Sequence, residues 1–198
     1  MSLLLESIKL LNGQFENLFQ HEQRMNRSLK MLCGVTTHFD LERFLEKMDH
    51  PRHGLFKCRI VYDDITSDIE FIPYIPKPVN TIRVIENDRI NYTFKYVDRK
   101  AIDRMFEARN GCDDILIIKG DVVTDASYAN IVFRKGRNWY TPWSPLLKGT
   151  MRAFLLERDL IREEEIRVED INTYEGFKLV NAMIGFDSPE QPVSNIIF

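Results

Sequence analysis

The chain has 198 residues, 44% of them hydrophobic and 29% charged, and carries a formal net charge of −3 from 27 basic and 30 acidic side chains. That mixture supplies enough apolar surface for a sizeable core and excludes disorder as the main state. No run approaches the roughly 20 apolar residues of a membrane span, and the slight acidic excess excludes a general nucleic-acid binder.

The elements follow in chain order. Leu3 to Leu18 predicts a β-hairpin, because Asn12-Gly13 is a strong two-residue turn signal between apolar runs. A helix is expected from about Gln20 to Cys33, with Met25, Leu29 and Leu32 at helical spacing and Gly34 as its stop. Asp40 reads as the N-cap of a second helix, Leu41 to Met48. Three strands are expected next, at Phe56–Tyr62, Asp68–Tyr74 and Thr81–Ile85, with Pro73, Pro76 and Pro78 breaking the stretch. Beyond Tyr92 a short strand leads into a helix from about Arg99 to Arg109. Asp114–Lys119 reads as a buried strand, and Val122 to Pro142 continues the sheet. Gly149 opens a helix running to about Leu160. The tail from Val168 mixes short elements and ends in a strand-like Val193–Phe198. This order is α+β, not a regular βαβ alternation. The polar stretch Glu86-Asn87-Asp88-Arg89 suggests a boundary between a lobe spanning 1–86 and a lobe spanning 87–198.

Four constellations could carry chemistry. Lys95 stands among Phe94, Tyr96 and Val97 just before a helix. A lysine in apolar surroundings loses charge and becomes a nucleophile able to form a Schiff base; an exposed lysine on an edge strand is the alternative. In Val123-Thr124-Asp125-Ala126-Ser127-Tyr128-Ala129-Asn130, small and polar residues interrupt an apolar sheet. That suits close approach of a ligand, or else a bulge with a solvated aspartate. Tyr140-Thr141-Pro142 is followed by Leu147-Lys148-Gly149-Thr150-Met151-Arg152, a loop that delivers a glycine to a helix start. Free amides there bind phosphate, although glycine at a helix start is also common. In His21-Glu22-Gln23-Arg24-Met25, Arg24 borders the apolar stripe, where it could grip an anion or snorkel along the helix. His50-Pro51-Arg52-His53 has no further ligand nearby, so no metal site is expected. No GxSxG, Walker A or GxGxxG pattern occurs. Three cysteines without a CxxC pair, and a start that meets Glu6 before any long apolar stretch, point to a reducing, cytoplasmic setting without a signal peptide.

Taken together and in order, these segments resemble the class IV aminotransferases, the fold-type IV enzymes of pyridoxal 5′-phosphate (PLP). The resemblance runs from Glu6-Ser7-Ile8 to Asn181. It is most specific in Val123–Ile131, in Tyr140-Thr141-Pro142 and in Leu147–Arg152, where the family reads approximately VTEaSxSNif, yTPp and lxGiTR. It implies a small N-terminal lobe and a C-terminal lobe on a mixed, barrel-like sheet. It also implies that Lys95, in the pattern K-x-x-[ND]-R, is the Schiff-base lysine and moves the substrate's Cα proton. Arg24, in H-x-x-R-[LM], and the backbone of Thr150 and Met151 would hold the cofactor phosphate. Asn181-Ala182 would match a second phosphate turn, and Asp125 falls where the family has a glutamate on the ring nitrogen, keeping it protonated as an electron sink.

Three departures stand out. Asp125 is one methylene shorter than glutamate, Met151 replaces a threonine, and the family's Gly-Asp-Gly stretch before the first strand is missing. The resemblance further implies a homodimer acting on a small amino substrate. The activity closest in feel is 4-amino-4-deoxychorismate lyase, which releases pyruvate and 4-aminobenzoate for folate synthesis. An aminotransferase of branched-chain or D-amino acids is the alternative, and a non-catalytic descendant without cofactor the second. Arg59 and Arg83, as strand arginines, are candidates for a substrate carboxylate.

Overall fold

The computed structural model describes residues 3–65 and 67–198. They form two compact units: the residues up to Pro76 with Phe94–Asp98, and Lys77–Thr93 with Arg99–Phe198.

In the first unit, β1 (Leu4–Leu11) and β2 (Gln14–Phe15) form the expected hairpin. Its turn places both Asn12 and Gly13 at positive φ, 49° and 81°, the geometry that matches strand twist and that glycine and asparagine tolerate. The return strand is short because helix α1 (Leu18–Cys33) begins directly after it. A second helix, α2 (Leu41–Glu46), is capped by Asp40, whose Oδ1 accepts the Arg43 N–H at 2.9 Å. β3 (Leu55–Tyr62) and β4 (Ser67–Pro73) complete an antiparallel sheet in the order β2-β1-β3-β4. One face of it, carrying Leu4, Ile8, Cys58, Ile60 and Tyr62, packs on Met25 and Leu29 of α1 and on Leu41 and Leu45 of α2. Strict period-two burial along β1 puts Glu6 on that same buried face.

The second unit is built on a nine-stranded mixed sheet. It contains β5 (Ile82–Glu86), β6 (Asp114–Lys119), β7 (Val122–Ala126), β8 (Asn130–Lys135), β9 (Asn138–Pro142), β10 (Arg162–Glu164), β11 (Gly176–Val180), β12 (Gln191–Pro192) and β13 (Ile196–Ile197). β5 runs parallel to β6 and to β13, β9 runs parallel to β10, and the remaining pairs are antiparallel. β8 is the hub, pairing with β7, β9 and β11. Two helices flank the sheet in sequence, α3 (Lys100–Glu107) and α4 (Thr150–Glu157). Ile82, Leu116, Ile118, Ile131, Phe133 and Phe177 lie in its core.

The fold is thus α+β with mixed sheets and few helices. The division between units falls elsewhere than at residues 86 and 87. β5 belongs to the second unit because its backbone pairs with β6, while Phe94–Asp98 return to the first because Lys95 and Val97 pair with β1. Among the described residues no helix is long and apolar enough to cross a membrane.

Candidate active site

Two clusters of polar side chains stand out, one in each unit. In the first unit, Lys95 is carried by a tight turn. The Leu5 N–H donates to the Lys95 carbonyl at 2.8 Å, and the Val97 N–H to that of Leu3 at 2.9 Å, tying the segment to β1. The Tyr96 N–H closes a three-residue turn on the Phe94 carbonyl at 2.9 Å, with Lys95 at its centre. The short strand expected here is therefore replaced by a turn with a single bridge, Leu4 to Tyr96. Phe94 and Tyr96 stack edge to face and pack on the unit's core, as the alternation about Lys95 implies. Lys95 itself is half-buried, and its charge reaches His21.

Behind it lies a buried ion network. Glu6 of β1 is fully buried. Its Oε1 accepts the Nε–H of Arg24 at 2.9 Å, and its Oε2 accepts Arg24 Nη2 at 2.5 Å and His21 Nδ1 at 2.6 Å. Burial alone would raise the Glu6 pKa, but the Arg24 guanidinium and the His21 hydrogen bond outweigh it and bring it down to about 2. Burial holds His21 below its ordinary pKa, against the pull of Glu6. A carboxylate only accepts, so His21 Nδ1 carries the hydrogen. Arg24 stands one turn after His21 on α1, which places both on Glu6.

In the second unit, Asp125 of β7 is buried. Its Oδ1 accepts Asn130 Nδ2 at 2.6 Å and its Oδ2 accepts the Leu147 N–H at 2.9 Å. Burial lifts its pKa to about 6, against those same hydrogen bonds. Asn130 also donates to the Leu147 carbonyl at 2.9 Å, so one carboxamide fixes both the aspartate and the loop before α4. Gly149 is required here by close approach: a Cβ on it would lie 2.0 Å from Asn130 Oδ1. Glycine also leaves the first amides of α4 without a side-chain cap from position 149. Thr150 and Met151 are buried, and the Met151 side chain packs with Val132, Leu155, Ile161 and Val180, so only its backbone can serve a ligand. Asn181 holds a turn, its Oδ1 accepting the N–H groups of Met183 and Ile184 and its Nδ2 donating to the Tyr128 carbonyl. Ala182 lies within that turn.

A cavity of about 360 Å³ in the same unit is lined by Tyr92, Lys119, Thr124, Trp143 and Leu146. Thr124 and Asp125 point to opposite faces of β7, but Leu146 of this lining belongs to the loop whose backbone amides also reach Asp125.

Lys95 and Arg24 therefore share one unit, and Asp125, Thr150, Met151, Asn181 and Ala182 share the other. The two arginines expected to hold a carboxylate join neither cluster. Arg59 lies on the face of the first sheet opposite Glu6, where its Nη1 donates to Glu70 across the strand pair at 3.0 Å. Arg83 sits on β5, two strands from β7. Glu6 was not anticipated as a site residue. Its signal was a carboxylate in the apolar alternation Leu4, Glu6, Ile8, Leu10.

Each unit offers its own donors: the first an amine and a guanidinium held in orientation, a pair suited to an anion, and the second a helix start with amides beside a glycine that cannot be enlarged and a buried carboxyl whose pKa of about 6 lets it hold or share a proton.

Residues 85–193 match the family described as amino-transferase class IV. An uncharacterised protein of Haemophilus influenzae is 38% identical over 184 residues, which cover 92% of this chain and 98% of that protein. A solved structure from Haemophilus somnus 129PT, provisionally named a 4-amino-4-deoxychorismate lyase, is 36% identical with a TM-score of 0.88, covering 94% of this chain and 98% of the other. An aminotransferase from Brucella abortus, solved with PLP bound, shares the fold at 20% identity and a TM-score of 0.71, covering 96% of this chain and 82% of its own.

Proposed function

The chain belongs to the class IV aminotransferase family, and on that footing we propose that it is a PLP-dependent 4-amino-4-deoxychorismate lyase, releasing pyruvate and 4-aminobenzoate. The observation that carries the lyase reading is the likeness, over nearly the full length of both chains, to the Haemophilus somnus protein of that provisional name.

In this reading Lys95 is the amine that holds the cofactor covalently. Arg24 and the backbone amides of Thr150 and Met151 bind its phosphate, with the Asn181-Ala182 turn as a further contact. Asp125, as a carboxylate beside the ring nitrogen, keeps a proton there. When bound, PLP supplies an electron sink for the pair left behind as the substrate's Cα proton departs. Lys95 takes that proton as general base and returns a proton as general acid. Expulsion of the enolpyruvyl group needs no second substrate, whereas amino transfer requires a keto acid to complete its cycle.

An aminotransferase is the second reading, favoured by the family itself and by the shared fold, at 17% identity and a TM-score of 0.78, of a Mesorhizobium loti protein provisionally named an amino-acid aminotransferase. One assay separates the two. The enzyme loaded with PLP is given 4-amino-4-deoxychorismate alone, and amino acids with 2-oxoglutarate in parallel. The lyase reading expects 4-aminobenzoate without any keto acid. Glutamate formation without 4-aminobenzoate replaces it by the aminotransferase reading.

A further inference from the structure

Glu6 and His21 form a network that PLP chemistry does not itself require. A buried ion pair is at best a weak source of stability, and apolar residues of similar volume usually serve a core as well or better. Yet Glu6 interrupts the apolar face of β1 between Leu4 and Ile8, fully buried, with cross-strand Ile60 beside it. Its carboxylate takes Arg24 edge-on through Nε and Nη2. A planar guanidinium held at two nitrogens cannot roll about its long axis, so the direction of its remaining N–H groups is set. His21, also fully buried, fixes the second carboxylate oxygen through Nδ1 at 2.6 Å. Strand β1 and helix α1 thus converge on one side chain.

We propose that Glu6, with His21 behind it, is a positioning residue that aims the Arg24 guanidinium at the cofactor phosphate. Glu6 touches no ligand and acts only through Arg24. The inference rests on the PLP reading, and it makes a demand that a merely structural pair would not. Loss of Glu6 must cost affinity for the phosphate, and not for the pyridine ring or the aldehyde.

The test compares pyridoxal 5′-phosphate with pyridoxal, which lacks the phosphate, by titrating each into the full-length chain and following absorbance. Wild type is expected to prefer the phosphorylated form. In Glu6→Gln that preference falls by about tenfold, with pyridoxal affinity nearly unchanged. Combining Glu6→Gln with Arg24→Lys should reduce the preference little further than Arg24→Lys alone, because both act through one guanidinium. Glu6→Asp, which keeps the charge but withdraws it by one methylene, shifts the preference in the same direction and decides the matter should Glu6→Gln fail to fold. Equal losses for both ligands, or no change in the ratio, overturn the proposal and leave Glu6 a structural counter-ion. A wild-type chain that binds neither ligand instead overturns the PLP reading.

Discussion

A carboxylate as deeply buried as Asp125 ionises at a cost. Its raised pKa of about 6, against an ordinary 3.8, means that the folded chain holds a proton there that the unfolded chain has already lost. Between those values the unfolded state binds fewer protons, so this group lowers stability as pH rises through that window. Asp125→Asn removes the titration. The variant should lack this fall in stability between about pH 4 and pH 6, while its amide NH2, set against either the Asn130 or the Leu147 donor, lowers stability by about 1–3 kcal/mol at every pH in chemical unfolding. The same substitution should lower PLP-dependent turnover by at least about a hundredfold, because an amide cannot keep the ring nitrogen protonated. Equal pH profiles for the two chains would contradict the burial argument. Lys95, Arg24 and Asp125 stood out in the sequence because each sits in a residue pattern with a chemical reason. Glu6 was not, since a lone glutamate in a strand looks the same whether it meets solvent or an arginine from a helix. Arg59 and Arg83 rested on strand alternation alone, which says that a side chain faces one side or the other without saying which side is the site.

At the scale of elements, the loop leading into α4 is the most tightly constrained part of the second unit. The Asn130 carboxamide is pinned by Asp125 at 2.6 Å and by the Leu147 carbonyl at 2.9 Å, so it has little freedom to retreat from a new methyl group on residue 149. Gly149→Ala should therefore break one of those bonds, costing about 2 kcal/mol in thermal or chemical unfolding and weakening PLP binding measurably. Unchanged stability and binding would show that the carboxamide moves freely. Elements with strong local signals were readable in advance: the Asn12-Gly13 hairpin, the Asp40 cap and the apolar run Ile115–Ile118. The short strands β10 and β12 were not, because two or three residues carry no period; they exist through pairing with β9 and β11, partners that sequence patterning does not reveal. β13 lies inside the strand-like tail Val193–Phe198, shortened to Ile196–Ile197 by a helical turn at Val193–Asn195. The turn at Lys95 was hidden for a related reason: its alternation of aromatic residues reads as a strand until the Tyr96 amide is seen to bond two residues back.

For the molecule as a whole, each unit has its own apolar core, and chain order does not divide them cleanly. The backbone leaves the first unit at Pro76, returns for Phe94–Asp98 and leaves again. Composition shifts alone place a border at the polar stretch 86–89, whereas backbone pairing decides which unit a strand belongs to. That brief return gives the first unit its lysine, to which the proposed function assigns the covalent bond to the cofactor. The most direct measurement is to incubate the full-length chain with PLP, reduce it with borohydride, digest it and locate the added pyridoxyl mass. The account predicts a yellow protein whose colour is lost on reduction, with the modification on Lys95 alone, and a Lys95→Ala variant that stays colourless. A modification spread over exposed lysines such as Lys119, or a wild-type chain that never colours, would contradict it.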